Sequence, residues 1–434
     1  MNLNFTPANI LTIFLVCFLG QANAQNFTSF FTGNTTNIET TPSAGICLMG
    51  GASEDDNAMA WFLERANGGD VLVLRTSGGD GYNNYFYSQL GVTVNSVETL
   101  LLHNAAAASD PYVLNKIENA EAIWFAGGNQ ATYVTFLQNS PAMDLLNDHI
   151  NVKQAPIGGI SAGMAIMGEF YFDAINGSVN STQAMNNPFA SNVSIGQGSF
   201  LDNPILQQTI TDTHFDNPNR KGRLTTFLAR IVEETGERAF GIAADEFVAI
   251  CIDEEGIAHV FGDFPQFDDI AYFVQVNCLD DFTPEILQPN TSLTWNRSNE
   301  ALKVYRVPGN SNGSNTFDLN TWEEGTGGTW ENWWVNNANF SSQSSSPIDC
   351  ETLSVEDFDA PQIAIFPNPT TKFVHWEGID FSIERASIYS ANGKLILSSK
   401  PGTNFIDVES LPNGIYFLKL RSVGHEETFS FIKR

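Results

Sequence analysis

Positive charge is scarce in this sequence of 434 residues. Lysine and arginine number 20 against 49 aspartate and glutamate residues, which gives a formal net charge of -29 at pH 7. A chain this acidic repels polyanions, which argues against nucleic acid as a partner and favours a cationic substrate. The alternative explanation is that the acidity only keeps an exported protein soluble.

Several motifs are absent. The sequence has no C-x-x-C, no H-E-x-x-H and no EF-hand loop, so it gives no reason to expect a metal, and no cofactor is expected. It also has no G-x-G-x-x-G and no P-loop, which argues against a nucleotide site. Beyond the N-terminal segment, no stretch is long and apolar enough to span a bilayer.

The N-terminal segment has the pattern of a processing signal. An apolar run from Ile10 to Leu19 precedes Ala22-Asn23-Ala24, the small-x-small pattern of a signal peptidase site. We expect a signal peptide at residues 1–24 and export to the periplasm; a membrane anchor is the alternative, although the run is short for one. Cleavage leaves an even number of cysteines, which is compatible with disulfides of open pairing: Cys47, Cys251, Cys278 and Cys350.

From Ala44 onward, apolar strand-like runs that end in glycine turns alternate with helical stretches. The runs are GICLMGG, DVLVLRTSGGDG, AEAIWFAGGNQATYVTFL and APIGGISAGMAI. This alternation predicts an α/β fold, a parallel sheet with helices on both faces. Ligands of such open sheets bind beyond the carboxyl ends of the strands, so the glycine turns indicate one rim.

Ser161 lies in such a turn. Gly159-Ile160-Ser161-Ala162-Gly163 fits G-x-S-x-G, in which small neighbours permit a sharp turn that exposes the hydroxyl. The amide of Ala162 would then point toward an oxyanion. A serine nucleophile needs a base and an orienting acid, and Asp245 and Glu246, which end an apolar run, are candidate acids.

Two histidines are candidate bases. His214 is followed by Arg220, Lys221 and Arg223, the densest basic cluster of the chain, and an anion-binding role for the arginines is plausible because cations oppose the dipole at a helix start. His259 fits an α/β-hydrolase order of Ser161, Asp245 and His259. A third hypothesis is a catalytically inert binding or scaffold protein on the same fold.

Four motifs in order carry a resemblance: FAGGNQ, GGISAGMA, DTHFDNPNRKGRL and GIAADE. Over Ala44 to Asp280 the chain resembles the cyanophycinase and dipeptidase E family of serine peptidases. The resemblance implies a flavodoxin-like fold related to the class I glutamine amidotransferases. It also implies Ser161 as nucleophile, His214 as base and Glu246 as the acid that orients it.

The resemblance implies further site residues. Gly128 and Ala162 match the oxyanion-hole amides, and the implied substrate-binding residues are Gln130, Asp212, Arg220 and Arg223. Thr213 and Pro218 depart from the family pattern, which has glutamine and arginine there. The implied activity is hydrolysis of the β-aspartyl-arginine polymer cyanophycin to dipeptides, with an aspartyl dipeptidase as the alternative. A homodimer is expected by the same analogy.

The composition and the predicted secondary structure change in the C-terminal third of the chain. We expect a catalytic domain at residues 25–340 with a β-rich extension from about 285. Its tryptophans, Trp322, Trp330, Trp333 and Trp334, form either a polymer platform or part of the packing. The serine-rich stretch SSQSSSP predicts a linker at 341–360.

The last segment, 361–434, predicts a small β-sandwich. It has 8 basic and 7 acidic residues, which leaves 12 basic and 42 acidic residues for the rest of the chain. FPNPT, YSANGK and LPNGIYFLKL resemble the C-terminal sorting domain of the type IX secretion system, and a generic β adhesion module is the alternative. The resemblance implies the type IX machinery as a partner and a secreted or cell-surface protein.

Overall fold

The computed structural model describes residues 25–198, 200–350, 364–377, 383, 385–391, 393–400, 404–422 and 425–434. The predicted signal peptide and the second half of the predicted linker lie outside these residues. The chain divides into two compact units, one ending at Asp349 and the other running from Cys350 to Arg434.

The first unit contains eighteen strands and seven α-helices among its described residues. The strands are β1 Phe27–Gly33, β2 Ile46–Met49, β3 Asp70–Arg75, β4 Ser96–Leu102, β5 Ala122–Phe125, β6 Ile157–Ile160, β7 Phe170–Phe172, β8 Ile195–Gln197, β9 Thr209–Asp212, β10 Phe240–Ala244, β11 Ala249–Ile252, β12 Ile257–Phe261, β13 Ile270–Val276, β14 Leu302–Pro308, β15 Asn315–Asp318, β16 Gly325–Thr326, β17 Thr329–Asn336 and β18 Asn339–Ser344. The helices are α1 Asp56–Glu64, α2 Gly81–Asn84, α3 Pro111–Asn119, α4 Gln130–Leu137, α5 Pro141–Asn151, α6 Ser181–Asn186 and α7 Lys221–Thr235.

A ten-stranded sheet positions the candidate site. Its order is β1-β4-β3-β5-β6-β2-β11-β12-β15-β16. The central strands β4, β3, β5, β6 and β2 are parallel, and antiparallel strands extend the sheet on both sides. Helix α1 packs on one face, and α3, α4 and α5 pack on the other. The predicted α/β class is confirmed, in a sheet that is mixed as a whole.

A second sheet of eight strands packs against the first. Its order is β18-β17-β14-β13-β10-β9-β7-β8, and β9 is parallel to both β10 and β7. Alternate side chains of β10 divide between two cores: Ile242 and Ala244 pack in the core that includes the first sheet, and Ala243 packs in the core that includes α7. Strand β10 therefore ends beside the first sheet, directly before the candidate acids.

The predicted β-rich extension is distributed over both sheets. Strands β15 and β16 extend the first sheet, and β14, β17 and β18 extend the second. Residues 341–344, predicted as the start of the linker, instead pair with β17 as part of β18. Their serine-rich composition resembles a linker because this is an edge strand whose last three residues are exposed. The tryptophans pack: Trp322 on Phe240 and Trp333 on Phe340.

The second unit has seven described strands. These are β19 Ala364–Phe366, β20 Phe373–Glu377, β21 Arg385–Ser390, β22 Leu395–Ser399, β23 Phe405–Asp407, β24 Gly414–Ser422 and β25 His425–Lys433. They form a three-stranded sheet and a four-stranded sheet that share one core, with Trp376 from the first and Ile388 and Leu418 from the second. A small β-sandwich is the observed architecture.

The four cysteines of the described residues are in two different states. Cys47 and Cys251 are buried free thiols on paired strands, and Cys278 and Cys350 are disulfide-bonded. Within the described residues, no helix has both the length and the apolar character that crossing a membrane requires.

Candidate active site

The site begins at the turn that follows β6. Ser161 adopts a left-handed backbone with φ 54°, which a residue with a side chain rarely takes and which is often found at functional sites. Its amide donates to Met49 O at 3.0 Å, and its carbonyl accepts from the amide of Ala165 at 2.9 Å. The chain therefore reverses sharply from the buried strand and exposes the hydroxyl.

The flanking glycines make this turn possible. A Cβ on Gly159 would lie 2.8 Å from Phe125 O and 2.7 Å from the backbone of Gly163. A Cβ on Gly163 would collide with the same Phe125 carbonyl. Both positions of the G-x-S-x-G pattern are thus fixed by the close approach of β5, in addition to the turn itself.

Three side chains form one hydrogen-bond chain. Ser161 Oγ lies 2.8 Å from His214 Nε2, and His214 Nδ1 lies 2.6 Å from Glu246 Oε1. The carboxylate accepts a hydrogen bond from Nδ1–H, which places the imidazole proton on Nδ1. Nε2 is then unprotonated and can accept the proton of the serine hydroxyl. The hydrogen bond from His214 lowers the pKa of Glu246 below its ordinary value, and Asn217 contributes a weaker contact at 3.5 Å. This hydrogen-bond chain of three side chains can activate a serine hydroxyl.

One short segment holds all three members in place. Residues 49–51, the last residue of β2 and the two that follow it, accept backbone hydrogen bonds from Ser161 at 3.0 Å, from His214 at 2.9 Å and from Phe247, next to Glu246, at 3.0 Å. Gly51 lies directly against the imidazole, because a Cβ there would be 2.5 Å from Nε2 and 2.7 Å from Nδ1 of His214. We call this segment together with the three side chains the triad edge.

The predicted oxyanion residues, Gly128 and Ala162, lie in the turns that follow β5 and β6. Gly128 has φ 153°, a conformation that favours glycine, and a Cβ on Gly127 would lie 3.7 Å from Ser161 Cβ. Ala162 directly follows the serine and is buried. The Gly127-Gly128 turn and the Ser161-Ala162 turn both follow parallel strands, so they meet at the same edge of the sheet.

Asp245 is a buried carboxyl next to Glu246. It is 4% exposed, and among the described residues its Oδ1 has no hydrogen-bond partner. Burial raises the pKa of Asp245 to about 8, and the nearby charge of Asp216 adds to the shift. The pKa values of two adjacent carboxyls therefore shift in opposite directions, because burial raises that of Asp245 and the hydrogen bond from His214 lowers that of Glu246.

An open cavity of about 680 Å³ lies beside Ser161 and His214. Its wall contains Glu54, Asp56, Tyr82 and Tyr85, which we call the groove wall. The Tyr82 hydroxyl donates to Glu54 Oε1, and the Tyr85 hydroxyl donates to Asp56 Oδ1 at 2.7 Å. Burial, followed by the charge of Glu54, raises the pKa of Tyr82, so the phenol keeps its proton.

Local structure explains how the groove wall forms. Asp55 is the N-cap of α1 and accepts from the amides of Asn57 and Ala58 at 2.9 Å each, while the carboxylates on either side of it line the cavity. Tyr82 and Tyr85 are three residues apart, in α2 and in the π-helix Tyr85–Gln89 that follows it, so their side chains share a face. Such π segments are frequent at functional sites.

Part of the chain that contains the site is similar to a known peptidase family. Residues 80–260 match the sequence profile of peptidase family S51. The chain carries a peptidase family S51 domain. This domain is that of a serine-type peptidase, a hydrolase. The segment at 49–51, Glu54 and Asp56 precede the matched residues.

Relatives of the S51 domain are cyanophycinases. The chain is 24% identical over 230 residues to a cyanophycinase of Geminocystis herdmanii, covering 50% of this chain and 78% of that protein. It is 25% identical over 230 residues to a cyanophycinase of Thermosynechococcus vestitus, covering 50% of this chain and 66% of the relative.

Two solved structures are distantly similar. A peptidase from an acI-B1 actinobacterium is 16% identical with a TM-score of 0.39, over 51% of this chain and 89% of that one. A putative peptidase E of Listeria monocytogenes is 17% identical with a TM-score of 0.30, over 50% of this chain and 97% of that one.

The second unit matches a separate family. Residues 364–434 match the secretion system C-terminal sorting domain. This domain indicates type IX secretion, with the secretion machinery as a partner and secretion or cell-surface attachment as the destination. The resemblance drawn from the tail motifs is confirmed.

The predicted substrate residues of the S51 domain are not among the described residues that line the cavity beside Ser161. Arg223 forms a buried ion pair with Asp212, and Arg220 Nη1 donates to Thr213 O at 2.7 Å. Burial lowers the pKa of Arg220 to about 10. Gln130 Nε2 donates to Phe172 O at 3.4 Å. Both arginines thus hold the strand end that leads into His214, and a direct contact with substrate stays a prediction.

His259 is engaged elsewhere. It lies on β12, where Nε2 is 3.0 Å from Asp253 Oδ2 and Nδ1 is 3.1 Å from Gly313 O. The structure brings His214 to Ser161 instead, so the α/β-hydrolase order of residues is not assembled.

Sequence reasoning missed the groove wall and the segment at 49–51. The available signal was position: the stretch GGASEDD follows β2, and RTSGGDGYNNY begins at the end of β3. Both stretches begin at the carboxyl ends of parallel strands, where ligands of such sheets bind.

Proposed function

We propose that the protein is an exported serine peptidase that hydrolyses cyanophycin, a β-aspartyl-arginine polymer, to dipeptides through Ser161, His214 and Glu246. The observation that carries this proposal is the hydrogen-bond chain of 2.8 Å and 2.6 Å that joins the three side chains. It lies in a peptidase family S51 domain, at the rim of a parallel sheet.

The first half of the reaction forms an acyl-enzyme. Ser161 Oγ attacks the scissile carbonyl while His214 Nε2 takes the hydroxyl proton. Glu246 accepts the Nδ1 hydrogen bond and stabilises the imidazolium. The amides of Gly128 and Ala162 stabilise the oxyanion of the tetrahedral intermediate. Collapse of the intermediate breaks the C–N bond, and the leaving amine receives its proton from His214.

The second half releases the acyl group. A water molecule gives a proton to His214 Nε2 and attacks the acyl carbon, and the same two amides stabilise the second oxyanion. Its collapse returns the proton to Ser161 Oγ and frees the carboxylic acid product. The triad ends in its starting protonation state, so each turnover consumes one water molecule.

Charge supports an arginine-bearing substrate. The groove wall contributes two carboxylates, Glu54 and Asp56, to a cavity beside the nucleophile. The chain outside residues 361–434 has 42 acidic and 12 basic residues, so the long-range field also attracts a cation. Relatives of the domain named cyanophycinases agree with this substrate class.

The proposed function includes export of the protein from the cytoplasm. The sorting domain at 364–434 supports secretion or surface attachment, and we propose a signal peptide at 1–24 that is cleaved after Ala24. Sequencing the N-terminus of the exported protein tests this cleavage, with Gln25 expected as the first residue. An N-terminus that still contains Ile10 would contradict it. A homodimer stays a prediction.

The direct test is hydrolysis by the full-length protein. We expect release of β-aspartyl-arginine from insoluble cyanophycin, and its loss in Ser161→Ala with the thermal unfolding midpoint unchanged. The same assay on α-aspartyl dipeptides separates the alternatives. Activity on dipeptides alone would assign an aspartyl dipeptidase, and a folded protein inactive on both substrates would overturn the proposal in favour of an inert scaffold.

A further inference from the structure

Among the described residues that line the cavity beside Ser161, Arg75 is the only arginine or lysine. It is the last residue of β3, a parallel strand of the first sheet, so its Cα lies at the rim where ligands of such sheets bind. Two other parallel strands of this rim, β6 and β5, end at the Ser161 turn and the Gly127-Gly128 turn. Arg75 therefore shares the rim with the candidate nucleophile and the candidate oxyanion residues.

The guanidinium of Arg75 is held rigidly. Its Nε donates to Ser77 O at 2.5 Å, and its Nη1 donates to Gly79 O. Gly78, with φ 88°, leaves room for the guanidinium, because a Cβ there would collide with Nη2. These two bonds use two of the five N–H groups, and the other three have no hydrogen-bond acceptor among the described residues.

No carboxylate of the described residues forms an ion pair with Arg75, although Glu54 and Asp56 line the same cavity. The two acids accept from Tyr82 and Tyr85 instead. By contrast, Arg223 is 3% exposed and bound to Asp212, and Arg220 is bound to the carbonyl of Thr213. A half-buried cation fixed by backbone groups and free of an anionic partner is suited to a carboxylate ligand.

We propose that Arg75 binds a carboxylate of the substrate and so determines specificity. The inference rests on the proposed function, because a β-aspartyl-arginine unit has carboxylates as well as a guanidinium. Arg75 and the groove wall then recognise opposite charges on one unit. Arg75 supplies a cation from the end of β3, in a chain that has Pro218 where the resembled family has an arginine.

The test uses full-length protein and a synthetic peptide of two β-aspartyl-arginine units. Three analogues each have one carboxylate replaced by a carboxamide. We expect Arg75→Gln to lower kcat/KM on the parent peptide about 10- to 100-fold, mainly through KM, because hydrogen bonds to a charged group are lost. One analogue should be a poor substrate of the wild type by a similar factor, and Arg75→Gln should impair its hydrolysis no further.

The control is Arg297→Gln, because Arg297 also donates to a loop carbonyl, Thr283 O at 2.6 Å, and does not line the cavity. Arg75→Lys should recover part of the loss. If Arg75→Gln lowered kcat/KM equally on all four peptides, or left it unchanged, Arg75 would have only a structural role and the inference would be overturned. Wild-type protein that cleaves none of the peptides but binds them through Arg75 would overturn only the proposed function.

A binding measurement tests Arg75 independently of catalysis. Calorimetric titration of Ser161→Ala protein with the parent peptide should give a Kd that rises about 10- to 100-fold when Arg75→Gln is added. An unchanged Kd would contradict the inference whether or not the wild type is active.

Discussion

The triad edge and the groove wall border one cavity but are built from different kinds of contact. At the triad edge, residues 49–51 accept three backbone hydrogen bonds, and the two glycines of this segment, Gly50 and Gly51, have no room for a side chain. At the groove wall, each tyrosine hydroxyl donates to a carboxylate, and these contacts join side chains only. Most substitutions leave backbone hydrogen bonds intact. We therefore infer that sequence change preserves the geometry of the triad, whereas it can alter the groove wall and with it the substrate preference.

The first prediction concerns the acid of the triad edge. Glu246→Gln should lower kcat about 10³- to 10⁴-fold, because an amide does not fix the imidazole tautomer as a carboxylate does. Since the hydrogen bond from His214 lowers the pKa of Glu246, the wild type should lose no activity through Glu246 until the pH falls below the ordinary range of glutamate. Steady-state rates on cyanophycin as a function of pH measure both effects.

The control for Glu246→Gln is Glu255→Gln, an exposed glutamate outside the cavity. It should keep wild-type kcat. A Glu246→Gln protein with more than a tenth of wild-type activity would contradict the assignment of the acid.

The second prediction tests the backbone contacts of the triad edge. Gly51→Ala should lower kcat about 10²-fold or more, because a methyl group at this position would displace the imidazole of His214. The measurement is kcat on cyanophycin together with the thermal unfolding midpoint. Gly414→Ala is the matched control, since a Cβ there meets its nearest neighbour at an ordinary 3.6 Å. Full activity of Gly51→Ala would contradict this prediction, because it would show that the triad edge accommodates the methyl group without loss of function.

The third prediction concerns Asp245. Its pKa in the folded protein is about 8, above its ordinary value of 3.8, so the folded state binds more protons between these values and the free energy of unfolding should fall as pH rises through this range. Between pH 5 and pH 8, the free energy of unfolding should fall by about 1–3 kcal/mol less in Asp245→Asn than in the wild type. Urea unfolding of both proteins at the two pH values measures it. Parallel pH profiles would refute the prediction.

The fourth and smallest effect is expected at the groove wall. Glu54→Gln should raise KM about 3- to 10-fold for an arginine-bearing peptide and leave kcat unchanged, because one partly exposed charge contributes little. Tyr82→Phe should have a smaller effect, since it removes only the hydroxyl that orients Glu54. A fall in kcat with unchanged KM would show that the wall takes part in the reaction itself.

Local patterns explain how much of the molecule could be predicted. Buried apolar runs gave the parallel strands, and G-x-S-x-G, whose glycines face Phe125 O, located the Ser161 turn. The order of four motifs led to His214 and Glu246, which the structure brings together. These signals are each contained in a few consecutive residues.

The remainder depends on contacts between distant segments. Residues 341–344 are an edge strand because β17 pairs with them, and nothing in their serine-rich sequence indicates that partner. The pairing of Tyr82 with Glu54 joins the segments after two different strands, and the acids at 54–56 resemble an ordinary helix start. The burial of Arg223 against Asp212 likewise cannot be read from the spacing of the motif.

Covalent labelling with a fluorophosphonate, followed by peptide mass spectrometry, tests whether Ser161 is the nucleophile. We expect one adduct per chain on Ser161, formed much more slowly in His214→Ala and in Glu246→Gln. A protein that hydrolyses its substrate but takes no label at Ser161, or labels another serine with loss of activity, would contradict the assignment of the triad.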